Sequence, residues 1–229
     1  MTLVTEAVIF AAQAHDGAAR KGSVIPYIVH PMEVVAICAT LTDDPQVLAA
    51  AALHDVMEDC GIGFDELSSR FGVRVAGLVC QESQQYSGDP CQTWNRRKLG
   101  AVRRICAGCR ATKIIALGDK LSNMRAISRD FIRDGEAMFQ KFHQHDKRRH
   151  AWYYRSCAAG LKSESGRCLT GSKALRPMSR AKAAKRGLTP YRAQFAQKAR
   201  NRLTKPVLSC IINDWLNENH FAAFAASAL

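Results

Sequence analysis

The run Leu53-His54-Asp55-Val56-Met57-Glu58-Asp59 places one imidazole and three carboxylates inside an otherwise apolar segment. It follows the alanine-rich stretch 47–52, and the apolar residues of both recur at helical rather than alternating spacing. Because side chains three and four positions apart share a helix face, the histidine and the acids converge on one side. Burying unpaired charge is costly, and a divalent cation bound by imidazole and carboxylate would offset that cost. The alternative interpretation is a helix end with ordinary surface acids.

The composition is that of a globular protein without a membrane span. The chain has 229 residues, of which 47% are hydrophobic, enough for one large domain or one domain with an appendage. It has no run of about 18 consecutive apolar residues, and residues 1–6 lack the pattern of a secretory signal. We therefore expect a cytoplasmic protein whose nine cysteines are reduced thiols. Cys106 and Cys109 form a CxxC, but no second CxxC or nearby histidine accompanies it, so chance is a better explanation than zinc.

The basic charge is concentrated in the C-terminal part of the chain. Residues 161–206 contain thirteen lysines and arginines and a single acid, Glu164, and so account for nearly all of the net charge of +13. We therefore separate a main domain, 1–160, from a basic C-terminal extension, 161–229. Clustered cations suit a contact of residues 161–206 with RNA, the ribosome or an acidic partner. The alternative is an appendage with no selected role, such as one that arose from an altered reading frame.

The main domain is predicted to be all-α, because no alternating strand pattern of any length occurs in it. Residues 3–15 form an amphipathic helix, and residues 32–41 form another. Residues 42–45, with acids followed by proline, are a helix start signal. The helix that begins there is expected to continue through Asp59.

Polar residues interrupt this helical pattern at two further places. The loop between the first two helices contains the basic pair Arg20-Lys21, which suits a phosphate, and His30, which precedes a proline. Asp119 lies on the otherwise apolar stripe of 112–125, and a buried aspartate requires a partner. His15, at the end of the first helix, is expected to be a packed or capping histidine and not a ligand.

Two imidazoles and two carboxylates from these separated segments make a plausible site for one divalent ion, with positions left for water: His30, His54, Asp55 and Asp119. The sequence around them resembles the HD-domain metal-dependent phosphohydrolases. More narrowly, it resembles the hydrolase domain of the RelA/SpoT-type alarmone enzymes and the small alarmone hydrolases. The resemblance covers about residues 5–160, and the matching segments are Arg20-Lys21-Gly22, 26–31, 53–59 and 118–125. Segments 94–98 and 152–155 also resemble bacterial members of the family.

The resemblance implies an HD-domain helical bundle that removes pyrophosphate from the 3′ end of guanosine tetra- or pentaphosphate (ppGpp or pppGpp). It implies that one divalent ion, typically manganese in this family, is held by His30, His54, Asp55 and Asp119. The catalytic pair that orients or deprotonates the attacking water would be Glu58 and Asp59. The candidates for substrate binding are Arg20, Lys21, Lys120, Asn123 and Arg125. For Lys120 and Arg125, solvated helix surface is the alternative.

One departure from the family pattern leaves the substrate open. Relatives usually carry an acidic run followed by lysine after the helix that corresponds to 73–81, whereas segment 81–89 keeps Glu82 but lacks that run. Another phosphorylated nucleotide is therefore an alternative substrate. A nucleic-acid-binding protein with a vestigial HD core is a second alternative, suggested by the basic extension.

Overall fold

The computed structural model describes residues 1–83 and 88–163. These ranges are helical, and the only β pairing in them is an isolated bridge between Ala19 and Pro26. The elements are α1 Leu3–Ala14, α2 Val29–Ala39, α3 Pro45–Ala52, α4 Val56–Asp59, α5 Phe64–Phe71, α6 Val73–Glu82, α7 Pro90–Ala107, α8 Arg110–Asp134, a 3₁₀ helix at Gly135–Lys141, and α9 Lys147–Lys162. The predicted all-α fold is confirmed.

Most of the basic extension predicted at 161–229 lies outside the described residues, since the description ends at Ser163. The domain boundary after residue 160 and the RNA or acidic-partner contact of 161–206 therefore stay predictions. None of the helices in the described ranges has the length and apolar character needed to cross a membrane.

The helices enclose two apolar clusters that share α8. The first cluster is formed mainly by α1, α2, α3, α5 and α6, and the second by α7, the 3₁₀ helix and α9. Helix α8 contributes Ile115 to the first cluster and Met124 to the second. Between these two residues, α8 carries the buried polar side chains of Asp119 and Ser122. The packing of both clusters therefore determines where these polar groups point.

Gly118 allows α8 to approach α2 closely. A Cβ atom at this position would lie 2.8 Å from Cys38 Sγ and 3.2 Å from the carbonyl oxygen of Val34, both on α2. These separations are too short for a side chain, so the close approach depends on glycine. It brings the polar residues of α8 next to the first turn of α2.

The structure corrects the predicted helix around the HD pair. Helix α3 ends at Ala52 and α4 begins at Val56, so the three residues between them form a turn and not part of one continuous helix. The Nδ1 atom of His54 lies 2.9 Å from the carbonyl oxygen of Ala51. A continuous helix would use that carbonyl as the acceptor for the N–H of Asp55. The side chain of His54 takes this acceptor, and the backbone turns.

The structure also corrects the position of His30. Helix α2 begins at Val29, three residues before the predicted start, so His30 lies in its first turn and not in the preceding loop. Pro31 is tolerated there because the N–H groups of a first helical turn have no intrahelical acceptor. The N–H of His30 donates to the carbonyl of Tyr27 at 2.9 Å. The proline thus marks the beginning of the helix and helps to fix the buried histidine.

Candidate metal and nucleotide site

Four side chains from three separate segments meet at one point. His30 Nε2 lies 3.5 Å from Asp55 Oδ2 and 3.3 Å from Asp119 Oδ1. His54 Nε2 lies 3.0 Å from Asp55 Oδ2 and 3.9 Å from Asp119 Oδ1. The two Nε2 atoms are 3.3 Å apart. The structure therefore brings together all four side chains that the sequence nominated as metal ligands.

Hydrogen bonds on the far side of each ring orient the two imidazoles. His54 Nδ1 donates to the carbonyl of Ala51 at 2.9 Å, since a carbonyl only accepts. Ser122 Oγ donates to the Glu33 carboxylate at 2.7 Å, so it accepts from His30 Nδ1 at 2.8 Å. Both rings therefore carry a proton on Nδ1, which directs the Nε2 atoms toward the carboxylates. This pattern is typical of metal-binding histidines.

The charge of the cluster favours a bound cation. Burial opposes a charge on His54, but the Asp55 carboxylate at 3.0 Å reverses the effect, and the pKa of His54 is raised to about 9. Burial also opposes ionisation of Asp55, yet His54 and His30 lower its pKa to about 2. The pKa of Asp119 is held well below its usual value, against the effect of burial, by Lys120 and the two histidines. Two imidazole nitrogens with two ionised carboxylates fit a divalent metal ion.

Neighbouring groups hold the two carboxylates in place. The hydroxyl of Tyr27 donates to Asp55 Oδ2 at 2.7 Å. Asp119 accepts from the ammonium group of Lys120 and from the side-chain amide of Asn123. Each carboxylate therefore has a second partner that fixes its orientation, as is usual around metal ligands.

The two predicted catalytic acids differ in position. Both are exposed at the end of α4, but only Asp59 belongs to the wall of the pocket described below. Although the residue as a whole is exposed, partial burial of its carboxyl group and the nearby charge of Asp55 raise the pKa of Asp59. Glu58 lies close enough to Lys98 for its charge to act on that ammonium group. Asp59 is thus the acid directed at the space where a ligand would bind.

A pocket of about 530 Å³ opens beside His30 and Asp59. Its volume lies in the range of small-molecule sites. Five cationic side chains contribute to its wall, against three acids: Arg20, Lys21, Arg129, Arg133 and Lys141 against Glu33, Asp59 and Asp130. This excess of positive charge suits a phosphorylated ligand.

The predicted substrate-binding residues divide into two groups. Arg20, Lys21 and Asn123 line the pocket, and Arg20 Nη2 donates to Asn123 Oδ1 at 2.8 Å. Lys120 and Arg125 are not part of the pocket wall. Lys120 is half-buried against Asp119, and Arg125 pairs with Glu33 at 3.1 Å. Their roles in substrate binding stay predictions.

Three residues that support the site are not among those expected from the sequence. Tyr27 bonds to Asp55, and Ser122 and Glu33 continue the hydrogen bonds of His30. Spacing could have indicated two of them, because Glu33 follows His30 by three positions on α2 and Ser122 follows Asp119 by three on α8.

His15 is a packed histidine at the end of α1. Its ring stacks on that of Tyr27 with centroids 4.6 Å apart, and its Nδ1 lies 3.3 Å from Cys60 Sγ. The packing against Tyr27 places His15 behind the site.

A second group of buried charges lies behind Asp119. Burial raises the pKa of Glu82 to about 7, although Lys120 opposes this effect. Burial and the charge of Lys120 lower the pKa of Lys98 to about 8. The Lys98 ammonium lies 4.6 Å from the centroid of the Tyr153 ring, a cation–π distance. Glu82 and Lys98 both lie close enough to Asp119 for its charge to act on them.

The CxxC cysteines lie in different environments, since Cys109 is buried and Cys106 is exposed. Within the described ranges, the only cluster of three or more potential ligands whose ligand atoms all lie within 4.8 Å of one another is His30, His54 and Asp55, and Asp119 joins this cluster through its contacts with the two histidines. That cluster contains no cysteine.

Comparison with known proteins identifies the family of this chain. The family model described as HD domain matches residues 7–144. The guanosine-3′,5′-bis(diphosphate) 3′-pyrophosphohydrolase of Vibrio cholerae is 35% identical over 53% of this chain, which spans 17% of that enzyme. The relative MESH1 of Danio rerio, which carries the same enzyme name, is 34% identical over 56% of this chain and 70% of its own length. A solved metazoan ortholog of SpoT, described as hydrolysing ppGpp, superposes with a TM-score of 0.58 at 26% identity, covering 71% of this chain and 86% of its own.

The chain therefore belongs to the HD domain family. The resemblance found in the sequence is confirmed, because the relatives include SpoT-type and MESH1 proteins. The fold, the paired histidines and the two carboxylates define a helical domain that is suited to a divalent metal.

Proposed function

We propose that this protein is a metal-dependent hydrolase that removes pyrophosphate from the 3′ position of ppGpp or pppGpp. The observation that carries the proposal is the convergence of His30, His54, Asp55 and Asp119 beside a cationic pocket of about 530 Å³. The names of the relatives support the substrate, because several describe this reaction.

We propose manganese as the metal, which would be held by the imidazoles of His30 and His54 and by the carboxylates of Asp55 and Asp119. When bound, a divalent ion lowers the pKa of water and polarises a phosphoryl oxygen. Because His54 has a raised pKa, metal binding competes with a proton on its Nε2 atom. Metal affinity should therefore increase with pH.

Asp59 is proposed to accept the proton of the attacking water, while Glu58 helps to orient it. A general base works best when its pKa approaches the working pH, and the pKa of Asp59 is shifted in that direction. The products are a free 3′-hydroxyl and pyrophosphate. Arg20 and Lys21 are proposed to offset the charge of the phosphates, with Asn123 holding the Arg20 guanidinium in place.

The decisive experiment is turnover of ppGpp by the purified full chain with and without manganese, with GDP and pyrophosphate separated by chromatography. We expect manganese-dependent release of pyrophosphate, abolished by His54→Ala. Metal analysis of the same variant should show loss of the bound ion. If ppGpp stays intact while nucleoside monophosphates lose phosphate, the substrate assignment is wrong and a broader nucleotidase is correct. Segment 81–89, which lacks the acidic run of relatives, makes that comparison necessary.

A further inference from the structure

Helices α7 and α9 carry an unbalanced positive charge. Each contains five lysine or arginine residues and no aspartate or glutamate within its bounds. Seven of these ten cations are arginines. Globular surfaces normally intersperse both signs of charge, and an uncompensated excess repels itself. Lys98 is half-buried and Lys147 pairs with Glu136, so the exposed excess of charge comes mainly from the arginines, and such a surface attracts a polyanion.

The two helices lie side by side and run in the same direction. Near their N-terminal ends, Arg149 Nη1 donates to Asn95 Oδ1 at 2.9 Å. Near their C-terminal ends, Gly160 packs so closely that an added Cβ would lie 3.0 Å from Cys106 Sγ and 3.1 Å from Ile105 Cγ2. The two pairs of neighbours occur in the same order along both helices. The exposed sides of the helices consequently form one continuous surface.

An exposed tryptophan lies within the cations of this surface. Arg148, Trp152 and Arg155 follow one another at helical spacing on the outer side of α9, and Trp152 is 42% exposed. Arg103 is exposed on α7. The side chains of these three arginines form no ion pair or hydrogen bond with any described residue.

The first turn of α9 contains further positive charge. Lys147, Arg148 and Arg149 occupy it, although the positive end of a helix dipole favours acids. Three cations at this position reduce the stability of the isolated helix. Lys147 pairs with Glu136 and Arg149 lies 4.0 Å from Asp146, so the charge left for an external anion is that of Arg148.

We propose that this α7–α9 surface binds single-stranded nucleic acid, with its phosphates against the arginines and a base stacked on Trp152. Arginine suits this ligand because its planar guanidinium pairs with phosphate and stacks on bases. A single strand is required, because only an unpaired base can reach an exposed indole. A membrane surface fits less well, since Leu99 is the only other large apolar side chain exposed on these two helices.

The test is binding of the full chain to a labelled oligouridylate of about 12 nucleotides, a length within the range bound by known single-strand sites. Inorganic polyphosphate, which carries charge but no bases, is measured in parallel. Trp152→Ala should weaken binding of the oligouridylate by about 5- to 100-fold, because that is the usual effect of losing one stacked aromatic residue. It should leave polyphosphate binding within about two-fold, and Trp152→Phe should retain most of the oligouridylate affinity.

The matched controls lie on α5. Phe64→Ala removes an aromatic side chain of similar exposure, 38%, and should change neither affinity. The double variant Arg148→Gln with Arg155→Gln should reduce the salt dependence of oligouridylate binding, by a slope of about 0.7 for each phosphate that the protein no longer neutralises. Arg70→Gln removes one charge from α5 and should leave that slope unchanged. Thermal melts of each variant show that it is folded.

Three results would overturn the proposal. If Trp152→Ala leaves oligouridylate binding unchanged, or if Phe64→Ala weakens it equally, the ligand binds elsewhere, for instance at residues 161–206. If polyphosphate binding falls together with oligouridylate binding in Trp152→Ala, the indole does not act by stacking on a base. If the chain binds vesicles of phosphatidylglycerol through Trp152 but not oligouridylate, the surface contacts a membrane and not nucleic acid.

Discussion

Replacing Ser122 with alanine removes the hydroxyl that orients His30. Ser122 is only 1% exposed, and its Oγ atom accepts from His30 Nδ1 at 2.8 Å and donates to Glu33 at 2.7 Å. Without this oxygen, the Nδ1 proton of a buried imidazole loses its acceptor. Glu33 keeps its ion pair with Arg125. The His30 ring is then free to rotate or to move its proton to Nε2, and either change removes a metal-binding lone pair.

The expected loss in metal affinity is about 10- to 100-fold, or roughly 1 to 3 kcal/mol, which is typical when the hydrogen-bond partner of a metal-binding histidine is removed. We expect a value near the upper end, because the hydrogen bonds from His30 through Ser122 end on the carboxylate of Glu33, and charge-assisted hydrogen bonds are stronger than neutral ones. The assay is calorimetric titration of the chelator-treated full chain with manganese. Ser128→Ala is the matched control, since Ser128 is a buried serine on the same helix that does not line the pocket.

Two outcomes would refute this reasoning. In the first, Ser122→Ala binds manganese as tightly as the wild type, which means that the hydroxyl does not determine the orientation of His30. In the second, Ser128→Ala loses as much affinity as Ser122→Ala, which means that helix α8 responds to any buried cavity. Thermal melts in chelator separate both outcomes from a general loss of stability.

Three further predictions concern the packing, the buried charge and the catalytic acid. Gly118→Ala should lower the free energy of unfolding by about 1 to 3 kcal/mol, because its Cβ would lie 2.8 Å from Cys38 Sγ; an unchanged denaturant midpoint would contradict the close approach. In the folded state the pKa of Glu82 is about 7, above its ordinary value of 4.5. The free energy of unfolding therefore falls as the pH rises between these two values. Glu82→Gln should therefore stabilise the protein by up to about 3 kcal/mol at pH 8 and hardly at pH 4.5, and an equal gain at both pH values in urea melts would exclude this explanation. Asp59→Asn should lower kcat for ppGpp by about 10²- to 10⁴-fold with metal content unchanged, and retained turnover would remove Asp59 from the role of base.

The helical fold could be predicted from the sequence because hydrophobic periodicity is a local property of the backbone. The first helix, expected at 3–15, occurs at Leu3–Ala14. The errors occur at His30 and His54, where the sequence predicted a loop and a continuous helix. At His54 a side chain takes a backbone acceptor, and next to His30 a proline lies within the first turn of the helix instead of before it. Hydrophobic periodicity does not reveal either feature, because both depend on particular hydrogen bonds.

The sequence alone determined which chemical groups the protein possesses and on which segments they lie, including the two histidines, the two aspartates and the basic pair Arg20-Lys21. Only the tertiary structure decided which of those groups meet. It separated Asp59 from Glu58, placed Asn123 in the pocket and Lys120 outside it, and connected His30 to Glu33 through Ser122. The physical reason is that contacts between distant segments depend on how two apolar clusters pack around α8. That packing is the sum of many weak interactions, which no short stretch of sequence contains.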